Sequence, residues 1–366
     1  MKVCHLTSAH SRYDTRIFIK ECKSLAKNGF AVSLIVADGL GNENKDGVNF
    51  FDVGQKSKHR LIRFIVTTNK VYKEALKLNA DIYHFHDPEL MFFAYLLKLK
   101  GKKVIYDVHE DLPRQLLCKP YLSNVSKKPL SFFIEKMENY FASRYTAVVT
   151  ATSFIKDRFI KINCETIDVN NFPVLSEFED FSKKAKQDEI CYVGGLSEVR
   201  GIYEIIESLN FLNSLRLNLA GSFNDSSFEK KTKAQSSWSK VNELGFIDRN
   251  GIKEVYSKSK IGLVTLHPVI NYVNALPVKM FEYMASGLAV IASDIPLWKE
   301  IIEESKCGVC VNPLNPKDIA NAVNEMIQNP EALREMGANG RKAIVQKYNW
   351  SNEDKKLLML YRKILQ

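Results

Sequence analysis

The stretch LPVKMFEYMASGLAVIAS, residues 276–293, carries a proline, a lysine and a glutamate at the head of an apolar run that ends in a glycine and a strand. Pro277 suits the first position of a helix, where its missing N–H would be unpaired in any case. The free N–H groups and positive dipole end of that helix, expected to run to Gly287, make a seat for an anion such as a pyrophosphate. Lys279, in the first turn, adds charge to it. Glu282 admits two readings: a carboxylate that accepts hydrogen bonds from vicinal hydroxyls, as on a ribose, or a surface glutamate on a helical turn. A second locus, YVGGLSEVRGIYEII at 192–206, runs a strand into Gly194 and Gly195 and opens a helix at Arg200 and Gly201. A glycine turn lets backbone approach a ligand closely, and an arginine at a helix start can grip two phosphate oxygens. It is neither GxGxxG nor a P-loop, so alone it says only that a phosphate loop is possible here.

Histidines form the third group. YHFHDPEL sets His84 and His86 at a strand end beside Asp87, and YDVHED sets His109 after another strand. They are split between two strands with no fixed ligand spacing, so we assign no metal ligand. CGVC at Cys307–Cys310 lacks the second pair that a metal site needs and reads as a strand. All seven cysteines are expected as free thiols in a reducing compartment.

These residues need elements to hold them. Short apolar strands alternate with amphipathic helices from the start: KVCHLTS, then a helix over TRIFIKECKSLAKNGF with Phe18, Cys22 and Leu25 on one face and Gly29 as its stop, then AVSLIVA. ADIYHFH, KKVIYDVHE and YTAVVTAT continue the pattern, which is that of a parallel sheet covered on both faces. Periodicity fades around 170–189, as in a linker, and a second series follows in EICYVGGL, LRLNLAG, KVNELGF, IGLVTLH, LAVIASD and GVCVNP. The expected fold class is α/β with two Rossmann-like doubly wound domains, 1–170 and 188–345, joined by a linker at 171–187 and followed by a helix at 346–366 that packs back on the first domain. Ser351 and Asp354 read as a capping pair for that helix. Two such sheets leave a cleft, and ligands bind beyond the carboxyl ends of the strands.

At about 100 to 200 residues per domain, 366 residues favour two domains. Hydrophobic residues make up 45% and charged residues 26%, ordinary for a globular chain, and no apolar run approaches membrane-spanning length. The start lacks a signal peptide's apolar core, so a cytoplasmic location is expected. The net charge of +10 is lopsided: residues 1–170 hold 27 Lys and Arg against 18 Asp and Glu, the remainder 25 against 24. An anionic partner for the basic half is one reading, a merely solvated lysine-rich surface the other. The amphipathic stretches PELMFFAYLLKLKGKK and KKPLSFFIEKMENYFASRY fit helices that cover the sheet; with an open face they would instead dock on a membrane.

In order and spacing, PVKMFEYMASGLAVIASD, CYVGGLSEVRG, GFIDRNGIKEVYSKSKIGLV and MGANGRKAIVQKYNWS resemble a family 4 glycosyltransferase, a retaining enzyme of the GT-B fold. The resemblance covers nearly the whole chain and implies that Glu282 binds the donor ribose and Arg200 neutralises the donor pyrophosphate. It places Gly245, Phe246 and Ile247 beside the nucleobase and gives Gly221 the role of making room for the nucleotide. The first glutamate of the family's E-x7-E motif is replaced by Asn274, which with Ala275 and Leu276 would line the sugar. The arginine expected after the first glycine of the phosphate loop is replaced by Gly195, a charge that Lys279 would restore. The first domain would supply the acceptor side: His109 reaches the transferred sugar, and His86 and Asp87 line the acceptor cleft or serve structurally. SAHSRYDTR after the first strand departs from the family in lacking its usual glycine pair, so His10, Asp14 and Arg16 are expected to shape a different acceptor pocket.

No Asp-x-Asp pair occurs in the chain, so the cations Arg200 and Lys279, rather than a divalent ion, are expected to hold the diphosphate. No cofactor is implied beyond the nucleotide-diphosphate sugar itself as co-substrate. The retaining mechanism proposed for the family, in which the leaving phosphate takes the acceptor proton, requires no protein nucleophile. The expected acceptor is a saccharide or a lipid-diphosphate-linked saccharide of cell-surface polysaccharide biosynthesis, with peripheral contact at the inner membrane face. Nucleic acid is not expected. The rivals are a nucleotide-sugar 2-epimerase on the same fold, which needs no acceptor, and a non-catalytic partner that has kept the architecture.

Overall fold

A computed structural model describes every residue except 58, 60, 61, 118–121, 164, 183 and 185. The chain forms two compact units, Met1–Asn171 with Trp350–Gln366, and Phe172–Asn349.

The first unit is built on eight strands: β1 (Lys2–Leu6), β2 (Ala31–Val36), β3 (Glu43–Lys45), β4 (Val48–Asp52), β5 (Ile82–Phe85), β6 (Lys103–Val108), β7 (Ala147–Thr150) and β8 (Thr166–Asp168). Their order is β3-β4-β2-β1-β5-β6-β7-β8, with only β3 antiparallel to its neighbour. β5 and β7 are buried at every residue, as parallel strands covered on both faces must be. Such strands are apolar runs, so the histidines inside them stand out: His5 on β1 pairs in register with His84 on β5. The first helix opens as a π-helix over Thr15–Cys22 before tightening at Lys23–Lys27, and Phe18, Cys22 and Leu25 are among its buried residues, with Arg16, Lys20 and Glu21 buried beside them. Gly29 follows with φ +85°.

The second unit has six parallel strands: β9 (Glu189–Val193), β10 (Arg216–Ala220), β11 (Val241–Gly245), β12 (Ile261–Val264), β13 (Ala289–Ser293) and β14 (Gly308–Val311). Their order β11-β10-β9-β12-β13-β14 is the 3-2-1-4-5-6 order of dinucleotide-binding sheets, with its switch point between β9 and β12. In the first unit the same switch falls between β1 and β5. At these points neighbouring loops diverge and leave room for a ligand.

Three expectations need correction. The stretch at 171–187 is not a free linker, because Phe172, Phe178 and Phe181 are buried in the core of the second unit. The last helix, Trp350–Leu365, begins one residue before Ser351, so Ser351 and Asp354 lie within it and are no capping pair. It belongs to the first unit, where Trp350 Nε1 donates to Ser24 Oγ at 2.8 Å and Glu353 accepts from the Asn170 N–H at 2.7 Å. The helix Asn124–Ala142 does not cover the sheet with its aromatic face: Phe132 and Phe133 are exposed. Among the described residues, no helix is long and apolar enough to cross a membrane.

Candidate functional site

In the second unit, β9 ends at Val193 and the chain turns through Gly194 and Gly195 into a short 3-10 turn, Glu198–Arg200. Two glycines there are dictated by their positive φ and, at the second, by backbone packing as well. Gly194 has φ +139°, and a Cβ on it would lie 2.8 Å from Lys279 Nζ. Gly221 has φ +147°, and its Cβ would lie 1.9 Å from the Gly194 carbonyl oxygen. Gly195 differs, since a Cβ there would meet only the Arg200 guanidinium at 3.5 Å, an ordinary contact. A larger residue would fit, and the space beside the cation is left unfilled.

Lys279 enters this locus from the helix Val278–Ala285, whose N-cap is Pro277 and whose first N–H groups receive no side-chain cap. Its ammonium folds inward over the ring of Tyr192, 3.6 Å from the centroid. Among the described residues Nζ is buried with no hydrogen-bond partner. Burial, then the like charge of Arg200, lowers its pKa well below the usual lysine value. Arg200 is held by the hydroxyls of Tyr192 and Tyr272 and, among the described residues, by no carboxylate. Two cations therefore face one glycine turn, and no carboxylate among the described residues forms an ion pair with either. Buried charge of that kind is costly unless something of opposite sign arrives.

Glu282, one helical turn beyond Lys279, is buried and fully engaged: Oε1 accepts from Arg249 Nη1 at 2.8 Å and Oε2 from Tyr256 Oη at 3.2 Å. It is no surface glutamate. Sequence reasoning missed both partners, although Arg249 and Tyr256 stand seven residues apart on the helix Arg249–Lys258 and hence share a face. Gly245 closes β11, and its carbonyl accepts from the Gly221 N–H at 2.7 Å. Phe246 projects into solvent, while Ile247 packs on the core edge. Asn274, Ala275 and Leu276 lead into the Lys279 helix half-buried, and the Ala275 carbonyl is fixed by Trp298 Nε1 at 2.7 Å.

The first unit arranges its candidates differently. Arg16, expected to shape a pocket, is instead buried: Nε and Nη2 donate to Asp107 Oδ2 and Oδ1 at 2.8 and 2.7 Å, and Nε lies 3.2 Å from Glu21 Oε1. Asp14 caps the first helix, accepting from the Arg16 and Ile17 N–H groups. His86 and Asp87 line no surface either. Asp87 Oδ2 accepts from Thr7 Oγ1 and the Ser8 N–H, both at 2.7 Å, pinning the loop after β1. His86 Nδ1 donates to Asp107 Oδ2 at 3.0 Å. Of the clustered histidines His5, His10, His84, His86 and His109, His109, 20% exposed, and His10, 30% exposed, reach solvent, their rings 5.0 Å apart. His10 sits between Asp14 and Asp87 at 3.4 Å from each; burial opposes its charge, but the two carboxylates outweigh it and raise the pKa.

The ligand spacing that the sequence lacks exists in space. His5, Glu21, His84 and His86 bring donor atoms within 4.8 Å of one another, and so do His86, Asp107 and His109. The Arg16 guanidinium already supplies a cation to both carboxylates. Burial and the neighbouring Asp107 push Glu21 well above the usual carboxyl range; Asp107, despite its burial, is held well below it by Arg16 and the imidazoles. One positive and one negative charge balance, and a divalent ion beside Arg16 would meet repulsion.

Two family models match the chain. Residues 175–343 match glycosyl transferases group 1 and residues 16–169 match glycosyltransferase family 4. An uncharacterized glycosyltransferase of Methanocaldococcus jannaschii is 23% identical over 374 residues, covering 93% of each chain. The O-antigen chain mannosyltransferase of Salmonella typhimurium is 25% identical over 252 residues, 65% of this chain and 69% of that one. HepE of Anabaena, solved with UDP-glucose, superposes with a TM-score of 0.74 at 14% identity, covering 99% of this chain and 100% of that one.

Proposed function

The chain belongs to the group 1, family 4 glycosyltransferases, with the GT-B fold, and from that premise we propose that it moves a sugar from a nucleoside-diphosphate sugar to a saccharide or lipid-diphosphate-linked acceptor with retention of configuration. The observation that carries this reading is the pair of unneutralised cations, Arg200 and Lys279, facing the Gly194 turn. A diphosphate supplies the missing anion, and the same two cations stabilise it as it departs without a metal ion. Glu282 accepts the ribose hydroxyls, for which Arg249 yields or shares its oxygen, and Asn274 to Leu276 flank the sugar. HepE binding UDP-glucose on the same fold agrees with a nucleotide-sugar donor.

His109 at the end of β6 meets the sugar from the acceptor-binding first unit, and the departing phosphate takes the acceptor proton on the same face. The similarity to an O-antigen mannosyltransferase favours a cell-surface saccharide. Exposed Phe132 and Phe133, with Lys136 reaching over the Phe132 ring at 5.4 Å, give the basic unit a face for a membrane carrying a lipid-linked acceptor.

Thermal stability of wild type and Glu282→Ala against UDP, GDP and their sugar conjugates tests the donor site. One nucleotide series should give a saturable shift that the variant loses. No shift in either protein with any nucleotide would remove the donor assignment of Arg200, Lys279 and Glu282.

A further inference from the structure

The histidine cluster of the first unit forms one connected chain of hydrogen bonds. Asp107 Oδ2 only accepts, so the two imidazole atoms on it, His109 Nε2 at 2.9 Å and His86 Nδ1 at 3.0 Å, must both carry protons. Their mutual 3.2 Å separation is then two N–H groups converging on one oxygen, not a bond between rings. With Nδ1 protonated, neutral His86 has a bare Nε2, which accepts from His5 Nδ1 at 2.9 Å. His5 in turn has a bare Nε2 facing the Tyr361 hydroxyl at 3.4 Å, and that hydroxyl accepts from His84 Nδ1 at 2.8 Å. Burial keeps His5, His84 and His86 uncharged, with the His86 pKa lowered to about 4. One tautomer assignment thus satisfies every link from the last helix to His109. Among the described residues His109 Nδ1 has no partner, and this ring is the chain's solvent end.

We propose that Asp107, with Arg16, His86 and His5 behind it, is a positioning residue that holds His109 with Nε2–H turned inward and a bare Nδ1 turned outward as hydrogen-bond acceptor for a hydroxyl of the bound sugar. The proposal rests on the reading of His109 given above and adds the polarity of its contact: His109 accepts and does not donate. Arg16 makes this workable by cancelling the charge of Asp107 through two parallel hydrogen bonds, so the aspartate orients the imidazole without leaving a naked anion in the sheet.

Long-range proton–nitrogen correlation spectra of the full chain labelled with 15N-histidine read the tautomer directly, with His109→Gln used for assignment. The expected result is a protonated Nε2 and an unprotonated Nδ1 on His109. The nucleotide sugar that stabilises the chain in the thermal panel should then shift the Nδ1 resonance, while its parent nucleoside diphosphate should not. His86→Leu removes one donor from Asp107 and should mix the His109 tautomers and lower sugar-dependent affinity by about tenfold, the lower bound of what loss of an orienting partner costs at metal-bound imidazoles. His86→Asn returns an N–H toward Asp107 and should restore most of it. A protonated Nδ1 with a bare Nε2 in the wild type overturns the relay whether or not the variants fold. An unchanged His109 in folded His86→Leu does so too. The expected tautomer with no Nδ1 response to the sugar conjugate leaves the relay standing and removes the sugar contact.

Discussion

The two units are built on the same parallel-sheet plan and put their buried cations to opposite uses. In the first, Arg16 is matched to Asp107 and Glu21, and Arg158 to Glu138 and Asp111, so each guanidinium has carboxylates within the unit. In the second, among the described residues, Arg200 has only tyrosine hydroxyls and Lys279 Nζ has only a ring beneath it. A closed charge network orders its neighbours and asks nothing of a ligand. Two cations left open at a switch point raise the energy of the empty protein, and a bound anion relieves it.

Removing a cation from each unit should break this contrast most sharply. Arg16→Met strands two buried carboxyls and should cost about 3 to 5 kcal/mol of stability, measured by denaturant unfolding with hydrogen exchange of β5 and β6 peptides to locate the loss. A cost below that of a surface substitution would end the view of Arg16 as the charge partner of the cluster. Arg200→Met should leave unfolding nearly unchanged, yet raise the barrier to transfer by about 3 to 4 kcal/mol, seen as a fall in kcat/KM. Strong destabilisation without a change in nucleotide binding would reverse the comparison.

Acid should separate the units as well. His86 is held near 4 when folded against 6.5 for an ordinary histidine, so the unfolded chain binds the extra proton between those values. Stability from this group is complete above about pH 6.5 and is lost as pH falls toward 4, amounting to about 3 kcal/mol by linkage. His5 and His84 act in the same direction; Glu21, whose folded pKa is raised, offsets part of the loss. Exchange protection of β1, β5 and β6 should therefore fall before that of β9 and β12. Equal loss in both sheets would deny the histidines this role. The smallest effect is expected from Arg249→Ala: its pair with Glu282 is 43% exposed on the arginine side and should contribute under about 1 kcal/mol. Its nucleotide-induced thermal shift should be at least that of the wild type, since Glu282 is then free of a competitor.

The sheets and their strand order were legible because each parallel strand must be apolar along its whole length and each helix amphipathic, and both signals are local. The convergence of Gly194, Arg200 and Lys279 could be anticipated for a related reason: each lies within a few residues of a strand end or helix start at one switch point. The first unit offered no such cue. His5, Glu21, His84 and Asp107 lie up to a hundred residues apart, and only the pairing of β1 with β5 and β5 with β6 brings them together. Arg16 was read as an acceptor-pocket residue because a sequence does not display the carboxylate that buries it. A histidine inside each of two apolar strands, β1 and β5, was the one available signal, and it does not name its partners.

The last helix has a consequence for synthesis. Its residues Trp350–Gln366 complete a unit whose other part ends at Asn171, with the whole second unit encoded between them. While the ribosome is making the second unit, the first has no Tyr361 over its histidines, no Trp350 against Ser24 and no Glu353 on Asn170. The first unit cannot be completed until Trp350–Gln366 leave the exit tunnel, so the unit begun first is finished only after the second has been made.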